Sequence, residues 1–492
     1  MLNKHLLISI ILLFTTFFNL MAQSANHITL QDAIEMAKKK SLDYKIATFV
    51  SKSSYWNYNS FKAKFLPKLS LDGTLPDYYR TINTITLPSG QNDFVSQNVS
   101  NSSAALNLSQ NVVSTGGTIS INSSLRRIDN LGNSNNTAYT TIPFSVSYYQ
   151  KNIFYNEFKW ERKIEPLKLK ESEVEYVENL ENIAYKTVEK YFDLLQAEVQ
   201  LKLDEQNVRN IDTLLKSTQA RFEIGTVNLN DLLQTKVSLL NAKQSLIASR
   251  LTLRTAQQGL KRYLNEDMNL PITLSIPDSI LFFDIEVEQA VKYAKTNKKY
   301  NLEFKRRLLE AKQEIKRTVA ESGPTVSLSS NFGVTQTGKN VLNSYSDLLR
   351  NQSITIGLYL PLVDWGVNSS RRKRAEANLD LEITNIAQQE LSNEQEVVAE
   401  VMKWQTQNEQ MKLVRETREL AQQRYNIALQ KYSVSSITYT EFNNAQLQKD
   451  RAVTEYIAYL RNFWLIYYAI RKMTLFDFEN NSQIKLIKDA SR

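Results

Sequence analysis

The residue types that most often perform chemistry are scarce in this chain of 492 residues. There is no cysteine, which removes disulfides, thiol catalysis, thiolate-held metals and lipidation of an N-terminal Cys. The two histidines, His5 and His27, lie at the N-terminal extremity, so the commonest acid/base group and metal ligand is effectively missing. No glycine-rich phosphate loop occurs. Carboxylates remain. Glu171, Glu173 and Glu175 cluster along a helical pattern, where paired carboxylates can serve acid/base chemistry but are far more often solvent-facing charges. Glu441 and Asn444 are three apart and share one helix face, with Glu441 at the positive end of its helix. No catalytic residue, metal ligand or cofactor is expected, and the chain is read as not an enzyme.

Charge narrows the partners. The formal net charge is +9, one less without Lys4, and the cations alternate with Asp and Glu along helical patterns. That is a solvated surface and not a nucleic-acid footprint. The basic run RRKR, Arg371 to Arg374, is the one cluster that could suggest otherwise; a solvated helix start explains it equally well.

The elements that carry these residues are set by where glycine and proline are missing. Of nine prolines, none lies between Leu167 and Leu270 or after Trp365, and no glycine follows Gly366. Both stretches are rich in Glu, Lys, Gln, Ala and Leu. A helix from about Asn156 to Phe222 would be roughly 100 Å long at about 1.5 Å per residue. Ile183, Val188, Tyr191, Phe192, Leu195, Val199 and Leu203 form one narrow apolar stripe on it. Such a stripe is expected to exceed what one protomer can bury, and so to require assembly into a ring.

Around residues 68–150 and 324–366 the period changes to two. Ile354, Ile356, Leu358, Leu360 and Leu362 alternate with small or polar residues, as do Val326/Leu328, Phe332/Val334, Leu69/Leu71 and the series Ile142, Phe144, Val146, Tyr148. With Tyr79, Tyr148, Tyr149, Tyr359 and Trp365 near their ends, these segments suit a membrane barrel; a soluble sandwich fits the alternation nearly as well. The first residues, Lys4 and then an apolar run from Leu6 to Leu20 closing at Leu20-Met21-Ala22, have the design of a secretory signal, with the mature chain starting at Gln23. The run is short for a membrane anchor.

The chain repeats one plan. LQDAIEMAKKKSLDYK at Leu30 lies over VEQAVKYAKTNKKYNL at Val287, and Pro67 over Pro324. The expected organisation is a signal peptide (1–22), a first-half N-terminal helix (23–66), a strand region with extracellular loops (67–151), a helical hairpin (152–266) and a linker (267–286). The second half follows as a helix (287–323), strands (324–364), a hairpin (365–474) and a tail (475–492). Most of the surplus in the first half is the polar stretch from Tyr78 to Asn136, of a kind that belongs in water. Both hairpins turn at one short motif, RFEIGTVNLNDLLQTK at Arg221 and KYSVSSITYTEFNNAQ at Lys431. Gly225 can take the left-handed conformation that ends a helix, and Asn228 or Asn230 can cap the next. In the second copy Ser435 replaces Gly225, with Ser436 and Thr438 as capping hydroxyls, so that turn is expected to be stiffer or less tight.

In order and spacing, the duplicated plan, the RFEIGTVNLNDLLQTK turn followed by Ala242, the two proline-led strand regions and LPLVDWG at Leu360 resemble the TolC-type outer-membrane efflux proteins. The resemblance implies a mainly α fold with membrane β: a long α-helical barrel plus a transmembrane β-barrel of 12 strands from a homotrimer, four per protomer. It implies a passive exit duct of a tripartite efflux or secretion system in the cell outer membrane, with a long periplasmic extension. A periplasmic adaptor would couple it to an inner-membrane transporter. The pore constriction then maps to Glu441, Asn444 and Tyr432, with Glu441 in place of a usual Asp and Asn444 departing from the acidic pattern. The adaptor contact maps to Gly225, Thr226, Val227, Asn228 and Leu229 in the first tip and to Ser435, Ser436 and Ile437 in the second. RRKR would lie beside the headgroups at the periplasmic face. Ser102 to Val112 and Thr118 to Leu125 look like an additional hairpin, expected to be short or to extend beyond the bilayer. The competing reading is an exported helical scaffold or adhesin without a pore.

Overall fold

The computed structural model describes residues 27–131, 136–267, 273–277, 282–434 and 436–485. The expected signal at 1–22 and Ser435 lie outside these. After a short strand, β1 (His27–Ile28), the order of the first half is α1 (Leu30–Lys40), α2 (Leu42–Ala63), β2 (Lys68–Thr86), β3 (Asn92–Val112), β4 (Gly117–Asn130), β5 (Asn136–Gln150), α3 (Glu157–Glu223) and α4 (Leu229–Leu264). A two-residue strand, β6 (Thr273–Leu274), leads to α5 (Val287–Asn297), α6 (Lys299–Ser322), β7 (Thr325–Gly338), β8 (Leu349–Tyr359), α7 (Val367–Ser433) and α8 (Tyr439–Thr474). The chain closes on β9 (Phe476–Asp477) and β10 (Ser482–Gln483).

The duplication is visible in the lengths. α1 and α5 have 11 residues each, α3 and α7 have 67, and α4 and α8 have 36. Glutamate, lysine, glutamine and alanine carry α3 and α7 because nothing in them breaks the backbone ladder, except Pro166 inside α3, which cannot donate to the carbonyl one turn back. The expected single N-terminal helix of each half is two helices. Ser41 and Lys298 adopt extended backbone between them, and the Ser41 hydroxyl accepts from Tyr44 N at 3.1 Å to start the second.

Two compact units are formed, one from Met1–Lys52, Ser172–Asn301 and Glu390–Arg492, the other from Ser53–Glu171 and Leu302–Gln389. The first holds the main core. Trp404 is fully buried, its ring centroid 4.7 Å from Phe463, and its indole N–H donates to Phe283 O at 3.0 Å. Tyr191 OH lies 3.0 Å from Ile28 O and 2.5 Å from Ser275 O, holding the parallel β1–β6 pair. The apolar stripe of α3 ends in this core: Ile183, Val188, Tyr191, Phe192 and Leu195 are all buried within the single chain. The expectation that this stripe needs other protomers is therefore corrected. Residues of α1, α4, α5, α7 and α8 join the same core, which the periodicity of α3 could not reveal. The apolar residues left exposed are elsewhere, such as Ile46, Phe49 and Trp56 on α2 and Leu233, Val237, Leu240, Ile247 and Leu251 on α4.

The second unit holds one antiparallel sheet, ordered β2-β3-β4-β5-β7-β8. The halves join through β5 and β7, from Tyr139↔Gly338 to Gln150↔Leu328. The additional hairpin, expected to be short or to extend beyond the bilayer, lies inside the sheet and is not short: β3 pairs β4 continuously from Val99↔Asn130 to Val112↔Gly117. The sheet thus has six strands where the resemblance implies four. The polar stretch from Tyr78 continues as a ribbon in which Arg80–Thr86 pair with Asn98–Asn92. Its polar residues bond across the strands, Asn83 to Gln97 at 2.5 Å and Thr86 to Asn92 at 3.0 Å, which lets a polar sequence remain β. Among the described residues no helix is long and apolar enough to cross a membrane.

Candidate functional site

The carboxylates that opened the sequence reading are occupied structurally. Glu171 accepts from Arg306 Nε at 2.9 Å, and Glu175 accepts from Lys299 Nζ at 2.8 Å. Only Glu173 faces solvent. Burial pushes the Glu171 carboxyl above its ordinary value, and the Arg306 guanidinium opposes that. The expectation of three solvated charges is corrected for two of them, since partners distant in sequence carry the cations. Arg371 to Arg374 are exposed in the first turns of α7.

The turn residues come together as two hairpin tips in the first unit. In the first, Gly225 has φ +77°, a region open to glycine at little cost. Its N–H donates to Phe222 O at 2.9 Å, and Thr226 N donates to Arg221 O at 2.9 Å. This pattern satisfies the last carbonyls of α3. Asn228 is the cap of α4, its side chain accepting from Asp231 N at 2.8 Å; Asn230 lies inside the helix. Thr226, Asn228 and Leu229 are exposed and Val227 is half-buried.

The second tip closes with the same bond, Ser436 N donating to Lys431 O at 2.9 Å. The bond uses backbone groups, and five residues separate the two helices in each copy; the expectation of a stiffer or less tight turn rests on Ser435, outside the described residues. Thr438 caps α8. Its hydroxyl accepts from Glu441 N at 3.3 Å while the Glu441 carboxylate accepts from Thr438 N at 2.8 Å, a capping box. The Thr438 backbone N–H, then its hydroxyl, hold the Glu441 carboxyl below the usual range. Glu441 and Asn444 are exposed, and Ser436 and Ile437 flank the cap. Tyr432 stacks on Phe442 at 5.0 Å between centroids, in a small cluster with Ala428 and Ala445 that Ile437 also joins; burial pushes its phenol up.

The hairpins lie side by side. Gln446 on α8 donates to Asn207 on α3 at 2.8 Å, and Asn210 donates to Gln446 at 3.4 Å. Sequence reasoning missed these amides, which carry no motif.

Sequence reasoning also missed a buried charge set in the same unit. Glu181 is 1% exposed; Lys38 Nζ lies 2.7 Å from one oxygen and Arg471 Nε 3.0 Å from the other. Arg471 also reaches Asp477 at 2.5 Å and Tyr467 OH at 3.2 Å. Burial would raise the Glu181 carboxyl, but the two cations outweigh it and hold it low. The only signal in the sequence was the choice of Glu at an otherwise apolar helical position.

Two long helical hairpins and one six-stranded antiparallel sheet make up the described chain. Residues 33–266 and 302–474 match the outer membrane efflux protein family, and the chain belongs to that family. Solved structures share the fold. The outer membrane channel CmeC of Campylobacter jejuni superposes with a TM-score of 0.67 at 15% identity, over 94% of this chain and 89% of that one. The outer membrane protein VceC of Vibrio cholerae gives 0.65 at 14%, over 90% and 95%. CusC, described for conformational changes accompanying folding and transmembrane channel formation, gives 0.64 at 15%, over 90% and 91%. No curated protein sequence matches the chain.

Proposed function

We propose that the protein is the passive exit duct of an efflux or secretion system. Three copies enclose one tunnel, and a periplasmic adaptor couples it to an inner-membrane transporter that supplies the energy. The observation that carries this reading is the pairing of a sheet with one apolar face and long helices that keep exposed apolar residues, such as Leu233, Leu240, Ile247 and Leu251 on α4. A lone chain leaves both unpartnered, and closure about a threefold axis would cover both.

Within that reading the second hairpin is the constriction. Glu441 is exposed at a helix start and held ionised by its cap. Three such carboxylates about 6 Å apart in water repel by roughly 0.7 kcal/mol per pair, which favours cations and opposes full narrowing. Asn444 would add a neutral polar ring, and Tyr432, stacked on Phe442, would hold the tip in shape. The first tip, Gly225 to Leu229, and Ser435 to Ile437 in the second are the adaptor contacts, and Arg371 to Arg374 meet headgroups at the periplasmic face.

Membrane extraction tests the reading. A duct requires detergent, runs as an SDS-resistant trimer until heated, and conducts in planar bilayers. A single-chain particle released by salt washes, without conductance, would overturn it in favour of an exported scaffold.

A further inference from the structure

The sheet carries more than the family plan demands. Its rows can be followed strand by strand. Leu69, Leu108, Ile121, Val146, Phe332 and Gln352 are successive cross-strand partners from β2 to β8. Partners directly opposite one another share a face. This face is apolar on the first five strands, and on β8 it continues as Ile354, Ile356 and Leu358. The adjacent row, on the other face, is Ser70, Asn107, Asn122, Ser145, Gly333 and Asn351. One face suits lipid and the other water across all six strands, the central β3–β4 hairpin included.

The edges point the same way. Among the described residues β2 pairs only with β3 and β8 only with β7, and both strands are exposed along nearly their whole length. An open edge does not occur in hydrocarbon. An even number of antiparallel strands starts and ends on strands of opposite direction, so β8 of one copy can pair antiparallel with β2 of the next. The register supports that closure. Leu69 is one residue from the start of β2 at Lys68, whereas Gln352, in the same row, is seven from the end of β8 at Tyr359. The row therefore climbs by about six residues across six strands. With a rise of about 3.3 Å per residue and a spacing of about 4.8 Å, the strand tilt is about 35°, at the low end of what a closed barrel adopts. A climb of about eight would give a tilt near 43°, and only even values keep the apolar face continuous.

We infer that the partner of both edges is a second copy of this chain and that three copies close an 18-stranded barrel. The proposal rests on the trimeric duct reading. Barrel diameter grows roughly linearly with strand number, so the membrane lumen is about half again as wide as that of a barrel taking four strands per protomer. Copies meet with Leu69 of β2 opposite Leu358 of the neighbouring β8, or two residues further along.

The absence of cysteine makes cross-linking an unambiguous test in the full-length protein. Two pairs probe the β8–β2 seam, Asp72→Cys with Thr355→Cys for the climb of six and Ser70→Cys with Tyr359→Cys for eight. A third, Ser120→Cys with Thr355→Cys, links copies only if β4 is the edge and the β2–β3 hairpin lies outside the barrel. After copper-phenanthroline oxidation, one of the first two pairs should convert most of the heat-dissociated monomer into covalent dimer and trimer, and the third should not. A trimer cross-linked through Ser120, or one that neither β2 pair links, would overturn the 18-stranded closure and leave the duct intact. Failure of the unmodified protein to run as a trimer would instead remove the reading beneath it.

Discussion

Replacing Glu181 with glutamine is the sharpest test of how the main core is held. The carboxylate is 1% exposed and offers one oxygen to Lys38 and one to Arg471. Glutamine keeps the volume but has one oxygen, so its amide N–H₂ must face Lys38 Nζ or Arg471 Nε, donor against donor. The charge set also loses its balance: two cations remain against Asp477 alone. Removing one partner of a buried pair costs about 3–5 kcal/mol. Lys38 is 26% exposed and can turn to water, whereas Arg471 is 15% exposed, so Lys38→Met should cost much less. Native-state hydrogen exchange at amides near Glu181 and Arg471 reads this directly. At about 1.4 kcal/mol per decade, protection should fall by about 10²- to 4 × 10³-fold in Glu181→Gln and by less than about tenfold in Lys38→Met. A fall of less than about threefold in Glu181→Gln, or equal losses in the two variants, would refute the reasoning. The depressed carboxyl sets the pH window: its contribution is present above the unfolded value and is lost as acid titrates the folded group.

Glu198 behaves oppositely. Burial raises its carboxyl to about 7, against a weaker opposing bond from the Leu274 backbone, so its ionisation opposes folding increasingly as pH climbs from about 4.3 through 7. Glu198→Gln should therefore gain thermal stability relative to the parent at pH 8 and little at pH 4; a pH-independent difference would contradict this. Glu441→Gln should reduce cation preference in planar-bilayer recordings while leaving the fold intact, and unchanged reversal potentials would remove Glu441 from the constriction. Gly225→Pro cannot adopt φ +77° and loses the N–H that bonds Phe222 O, a local cost of about 3 kcal/mol. It should abolish function in an efflux complementation assay with the trimer preserved; loss of the trimer would show that the tip is structural.

Much of this protein is written in local patterns. The lack of glycine and proline beyond Gly366 and between Leu167 and Leu270 sets two long helical hairpins, because each residue's ladder bond depends only on neighbours four positions away. The alternation at Ile354 to Leu358 sets strands for the same kind of reason, and Gly225 marks a turn because few other residues reach its backbone conformation. What the tertiary structure alone decided involves partners far apart in the chain. The stripe at Ile183 to Leu195 is periodic, yet its periodicity does not say that Trp404 and Phe463 belong to the core that covers it. Glu171 and Glu175 have the same spacing whether or not Arg306 and Lys299 arrive to pair with them. Glu181 becomes a buried ion only because Lys38 and Arg471 converge from opposite ends of the sequence. The six-strand order, with β5 joined to β7 across nearly two hundred residues, likewise follows from which edges were left to pair. Periodicity encodes which face of an element seeks burial, and only packing determines what meets it.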